Sequence, residues 1–218
     1  MRRPSHLTVA LVLLTAVTGV VEAVSFIGLG RVFTAVMTGN ALFVGFGVIE
    51  EPEPVVAPMV ALAAFSAGAF IGHRANNALI RRTGDRWLSY ALYGEGALLA
   101  VAALLALGLP SQAPHLSPHR FTVIVAVSAI MGARNVTILQ AGSRSRDMPT
   151  TVVTRSLAGV FMIVPPETRF RRLTTVLAMV LGAAAGTLLL RLHPTVPLLL
   201  AAAAVAAAGR LCGRNVSR

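Results

Sequence analysis

The sequence predicts an all-α membrane protein: about six transmembrane helices plus two short re-entrant or broken helical segments, with halves that read as an inverted 3+3 repeat. Three observations carry this. The chain is 56% hydrophobic and only 12% charged, whereas a soluble domain carries about 25% charged residues. Apolar runs recur at close to the roughly 20 residues needed to cross a hydrocarbon core about 30 Å thick. All 19 basic residues are arginine, and they cluster between the apolar runs, as cytoplasmic loops do.

Runs with few charges fall at roughly 7–29, 55–73, 87–109, 120–141, 173–191 and 195–211. The first follows Met1-Arg2-Arg3, the opening of a signal peptide. It continues past the usual h-region, and no small-x-small site closes it, so it reads as a retained first helix. Little else remains after six crossings, so residues 1–218 form a single integral membrane domain, with repeat halves 7–109 and 120–211.

Two further apolar stretches, 32–49 and 149–165, hold Thr and other polar residues. Charge decides how to place them. Arg2 and Arg3 precede the first helix. Arg74, Arg81, Arg82 and Arg86 follow the second, and Arg144 and Arg146 the fourth. Arg169, Arg171 and Arg172 precede the fifth, and Arg210, Arg214 and Arg218 follow the sixth. Six crossings with both termini cytoplasmic put all of these clusters inside a bacterial inner membrane. The acidic loop of Glu50, Glu51 and Glu53 then falls outside, and Arg191 alone sits on the outer edge. If both short stretches also crossed, the Arg74–Arg86 loop would move outside, so the positive-inside rule favours re-entrant segments.

The charge of +11 is explained by these loops without a nucleic-acid partner. With one cysteine, Cys212, neither an intrachain disulfide nor a Cys-based metal site is possible; Cys212 reads as a small apolar filler. His115 and His119 have helical metal-ligand spacing, but they lie in a Pro-rich loop without a third ligand. His6, His73 and His193 read as interface residues. No metal or cofactor is expected. Gly182, Gly186 and the run Ala201–Ala208 permit close helix contact, within the bundle or in a homo-oligomer.

Each half reads long helix, short polar stretch, helix, helix. Gly19-Val20-Val21-Glu22 parallels Gly132-Ala133-Arg134-Asn135, and Phe33–Asn40 parallels Pro149–Ser156. Three crossings per half is an odd number, so the halves are inverted. The first short stretch then dips in from outside and the second from inside. Inverted repeats with interrupted helices are a recurring build of secondary transporters, with the site near the midplane.

Gly19–Gly30, Val32–Asn40, Met131–Asn135 and Pro149–Thr154 together resemble the YoaK family, small bacterial inner-membrane proteins built on a domain of unknown function. The resemblance covers most of the chain and implies a multi-pass architecture without naming an activity. The family usually has Asp where Glu22 stands, Asn where Val36 stands and Gly where Arg155 stands.

Glu22 lies well inside the first helix, where a charge costs about 2.5–3.5 kcal/mol or more and normally faces the bundle interior. It reads either as a proton- or cation-coupling carboxylate or as one side of a structural ion pair, for example with Arg134. Glu95, in the third helix, is a second candidate; it can also reach the interface or stay protonated. Gly39 lets the backbone break, while Thr38 and Asn40 can satisfy freed backbone groups or ligate a solute. Thr150, Thr151 and Thr154 can do likewise opposite them. Arg134 can snorkel, Asn135 matches Glu22 in the repeat, and Arg155 can meet an anion, Glu22 or lipid headgroups. For Thr38, Gly39, Asn40 and the three threonines taken one at a time, small-residue helix packing is the plainer reading.

These residues predict a small secondary transporter or permease for an unknown small solute or ion, proton- or cation-coupled. Its midplane site is lined by Glu22, Thr38, Gly39, Asn40, Asn135 and Thr154, with Glu95, Arg134 and Arg155 as secondary candidates. The alternative is a non-transporting scaffold or partner-binding subunit. An enzyme acting on lipid is not expected, because no nucleophile–base pair, His-rich cluster or phosphate cradle is visible.

Overall fold

The computed structural model describes residues 6–49, 55–109, 117–143 and 166–213. The second short stretch, with Thr150, Thr151, Thr154 and Arg155, lies outside them, as does His115. Every regular element among the described residues is helical: α1 His6–Ala23, α2 Met37–Ile49, α3 Val56–Thr83, α4 Trp87–Leu105, α5 Pro118–Ser143, α6 Pro166–Leu190 and α7 Thr195–Gly213. Five helical stretches are long and apolar enough to cross a membrane. One of them, Val56–Leu105, folds back through the turn Gly84–Arg86 and supplies both α3 and α4. Gly84, at φ 53 and ψ −127, takes a positive-φ conformation that glycine adopts readily and that stops α3.

Two elements depart from simple spans. α1 passes without a break into a π-helical turn, Val24–Gly28, and such turns often mark functional sites. The Arg31 amide still bonds back five residues to the Phe26 carbonyl. α2 has 13 residues, about 20 Å at 1.5 Å per residue, too short to cross. α3 is longer than the apolar run suggested. It continues past Gly72 to Thr83, because no Gly or Pro interrupts Ala75–Ile80 and its Asn76 side is buried. Arg74, Arg81 and Arg82 therefore lie on helix and not in a loop.

Glycines set the packing. A β-carbon on Gly19 would collide with the Met179 carbonyl and the Ala183 amide, one on Gly182 with Ala16, and one on Gly186 with Val20. α1 and α6 are thus parallel with their backbones in contact, the small-residue packing expected where lipid removes the hydrophobic drive between helices. α3 and α5 pair in the same way: Gly132 meets Phe65 and Ala69, Gly68 meets Ala129, and Gly72 meets Ala133. α4 and α7 pack antiparallel, with Gly96 on Ala202 and Ala206, and Gly209 on Ser89 and Tyr93.

The contacts correspond between pairs. Stepping from 19 to 132 is 113 residues, and from 65 and 69 to 179 and 183 is 114. The same steps carry Gly68 on Ala129 to Gly182 on Ala16, and Gly72 on Ala133 to Gly186 on Val20. A step of 113 carries Gly96 to Gly209, and Ser89 and Tyr93 to Ala202 and Ala206, so the α4–α7 contact maps onto itself. The most extensive helix contacts are these same three pairings.

These directions, with the short α6–α7 connection, leave α1, α4 and α6 running one way and α3, α5 and α7 the other. The end where α1 starts and α3 finishes carries Arg81, Arg82, Arg86, Arg169, Arg172 and Arg210. The opposite end carries more than the single arginine expected. Arg31 follows the π-helical turn and Arg120 opens α5, both beside Arg191 at that end. The basic bias survives, but it is less complete than the loop reading suggested. Large apolar side chains such as Phe70, Leu104, Val180 and Leu188 face outward, as a lipid-facing surface requires.

Candidate functional site

Glu22 lies near the end of α1, 6% exposed. Beyond it the chain leaves the π-helical turn through Gly30 at φ 110 and Arg31 at φ 58, then descends beside α1. Glu22 Oε1 accepts hydrogen bonds from the Thr34 amide at 3.1 Å, the Ala35 amide at 2.5 Å and the Thr34 hydroxyl at 3.4 Å. These donors lead directly into α2, so Glu22 docks the start of α2 at its own depth. The unpaired amides and positive dipole end of a helix N-terminus suit a carboxylate there. α2 then climbs back, and Gly47 packs on Val55 at the start of α3. The stretch 32–49 is therefore a dip that enters and leaves at one end, about one turn past Gly28. Glu22 Oε2 is buried without a hydrogen-bond partner.

Asn40, fully buried, holds the same loop. Its Oδ1 accepts from the Phe33 amide at 3.0 Å, and its Nδ2 donates to the Phe33 carbonyl at 2.6 Å. Gly39 lies against the Phe33 ring, where a β-carbon would approach to 2.5 Å. Phe33 stacks between Phe26 and Phe43, with centroids 4.9 and 6.0 Å apart. Thr38 faces outward. Thr34, which the sequence reading passed over, takes the inward place.

One turn below Glu22, toward the arginine-rich end, Thr18 shares its face of α1. The Thr18 hydroxyl accepts from Arg134 Nη1 at 3.3 Å. The Arg134 Nε donates to Glu95 Oε1, and Nη2 completes the ion pair. Arg134 is 4% and Glu95 7% exposed. Arg134 therefore neither snorkels nor pairs with Glu22, and Glu95 does not reach the interface. The arginine faces α4 and α1, and the Glu95 carboxylate balances its charge. Nη2 sits beside Glu95 without hydrogen-bond alignment. Asn135 is half-buried and makes no hydrogen bond among the described residues.

The family model described as a protein of unknown function (DUF1275) matches residues 10–211. The chain belongs to the DUF1275 family. No curated protein and no solved structure matches it.

In this DUF1275 chain a second polar group joins α3 to α5. Asn76 Nδ2 donates to Thr137 Oγ1 at 2.9 Å and Gln140 Oε1 at 2.8 Å. Gln140 Nε2 in turn meets Asn77 Oδ1 and His73 Nδ1. The sequence carried a signal here: two adjacent amides within an apolar helix, matched by Gln140 on another. His119 and His193 serve local ends, bonding the Leu105 carbonyl and Thr195. Among the described residues no group of three or more His, Cys, Asp or Glu is placed to hold a metal.

Because Glu22 docks α2, its replacements should separate. Glu22→Gln keeps an acceptor for Thr34 and Ala35 and should leave the fold intact. Glu22→Leu strands two buried amides at about 1–3 kcal/mol each. Protease cleavage in the 29–36 loop should rise sharply for Glu22→Leu in lipid nanodiscs and stay low for Glu22→Gln; equal cleavage of both would remove the docking role.

Proposed function

We propose that this chain is a small secondary transporter whose ion-binding carboxylate is Glu22. It works in a bacterial inner membrane with both termini at the cytoplasmic, arginine-rich end. The observation that carries the reading is the half-helix α2 docked at its start on buried Glu22, below the outer end of α1, with the second carboxylate oxygen lacking a hydrogen-bond partner. An interrupted segment with its polar end at the middle of the bundle is the usual location of a transporter site. The 113–114 residue correspondence of the glycine contacts supports an inverted 3+3 repeat. α4 and α7 lie on its axis, and each parallel pair draws one helix from each half. Rocking the α1–α6 pair against the α3–α5 pair would alternate access to Glu22, Thr34 and Asn40. Asn135 lies 113 residues after Glu22, so it would be the counterpart group.

The test uses purified protein in liposomes with an internal pH dye, screened against pools of small solutes. Solute-dependent proton movement is expected in the wild type and should vanish in folded Glu22→Gln. Correctly inserted wild type that moves no proton or solute across a broad pool would overturn the reading. One observation favours the alternative of a non-transporting scaffold or partner-binding subunit: Glu22 Oε1, Asn40 and Glu95 all bond within the protein. In that case Glu22→Gln should change assembly and not flux.

A further inference from the structure

Gly68 and Gly72 set one side of α3 against α5. The opposite side carries Ala63, Ala67, Phe70 and Arg74 at helical spacing, all of them exposed. The repeat supplies an internal comparison for this face. A step of 114 residues carries it to Leu177, Leu181, Ala184 and Leu188 on α6, which are exposed and wholly apolar, as lipid tails require. On α3 the same face thins to alanine and ends in a cation.

That cation lies deep. Gly72 meets Ala133 and Asn76 meets Thr137, so Arg74 is level with Arg134. Arg134 in turn pairs with Glu95, halfway along α4. Arg81, seven residues further along α3, lies about 10 Å nearer the arginine-rich end at 1.5 Å per residue. Arg74 does not reach that way. Its guanidinium carbon sits 5.4 Å from the centre of the Phe70 ring, one turn back and away from the arginine-rich end. His73 and Asn77 beside it bond each other and Gln140. For Arg74 the ring is the one polar or aromatic partner among the described residues. A charge at this level is costly against lipid and normally pairs or faces water, and a ring face offsets only part of that cost.

We propose that this face of α3 docks a membrane-spanning helix of another protein, one that carries Asp or Glu level with Arg74. The proposal stands apart from the transporter reading and does not involve Glu22. Charge complementarity selects the partner: an outward guanidinium among lipid tails calls for a carboxylate, which it can grip through two parallel hydrogen bonds. Ala63, Ser66 and Ala67, all exposed, let the backbone of the incoming helix close on α3 from there toward the outer end. A second copy of this chain does not supply the carboxylate. Its Glu22 and Glu95 are buried and bonded inside, and joining α3 to α3 would set two Arg74 cations against each other.

The experiment uses the full chain, labelled at its C-terminus, in phosphatidylcholine vesicles. The probe is a labelled Leu/Ala peptide of about 20 residues, long enough to span, with Glu, Leu or Lys at its centre. Energy transfer should show the Glu peptide binding about tenfold more tightly than the Leu peptide, the ratio one good polar contact between helices supports. Arg74→Leu should erase the difference, and Arg74→Glu should move the preference to the Lys peptide. Both variants should keep wild-type thermal unfolding, because the position is exposed. Equal binding of the Glu and Leu peptides, or undiminished Glu binding by Arg74→Leu, would overturn the proposal. So would equal binding of a peptide whose Glu lies two turns nearer the arginine-rich end, since Arg74 would then be reaching the headgroups. Three further results would reassign the face: binding abolished by phosphatidylglycerol gives it to lipid headgroups, binding seen only in Asp147→Asn gives it to the chain's own carboxylate, and Arg74-dependent dimers in probe-free vesicles give it to a second copy.

Discussion

Arg134→Leu should cost the folded protein about 3–5 kcal/mol, the penalty for leaving a buried carboxylate without its partner. The strain falls on Glu95, which has no route to water at 7% exposure. The double variant Arg134→Leu/Glu95→Leu should recover most of the loss, because two well-packed apolar side chains replace a desolvated pair at little net cost. Equilibrium unfolding in mixed micelles measures both. A double variant no more stable than the single one would show that the pair does not hold α4 to α5. Arg134→Lys should fall between them, since a single ammonium cannot reproduce the fork that spans Glu95 and Thr18.

Gly132→Leu should be comparably damaging, at about 3 kcal/mol or more, because overpacking here is resisted by backbone and not by a movable side chain. Its β-carbon would enter the Phe65 carbonyl, and the parallel pair must part along its length. The correspondence makes the prediction sharper: Gly19→Leu, 113 residues earlier, should cost a similar amount through Met179. Gly94→Leu, which meets open space, should be close to neutral. Comparing the three by thermal unfolding in detergent checks this; a harmless Gly132→Leu would contradict the close pairing of α3 and α5.

The long helices were legible because a membrane demands apolar length, and length survives in a single sequence. Glu22 was legible for a related reason: an ionisable residue at that depth stands out. Its duty was not. The Glu22–Thr34 bond spans a chain reversal set by Gly30 and Arg31 backbone angles, which leave no periodic trace. Asn40 stood out as polar, but the sequence could not show that both ends of its amide are taken by the one peptide at Phe33. The partner of Arg134 was misjudged because pairing was sought with the nearest-looking carboxylate. The choice is made by which face of α5 turns toward α4, and that depends on the glycine contacts of α3. α3 itself was cut short by treating Arg74 as a loop residue, although a helix can carry exposed arginines past the hydrocarbon edge.

The intertwining of the two halves has a consequence for biogenesis. Glu95 leaves the ribosome 39 residues ahead of Arg134, so α4 reaches the bilayer with its carboxyl unmatched. α1 is without α6, and α3 without α5, until still more of the chain is made. The early helices therefore cannot mature in the order of their synthesis. They lack their partners until the second half is made, so the native pairing closes only once the later helices have arrived.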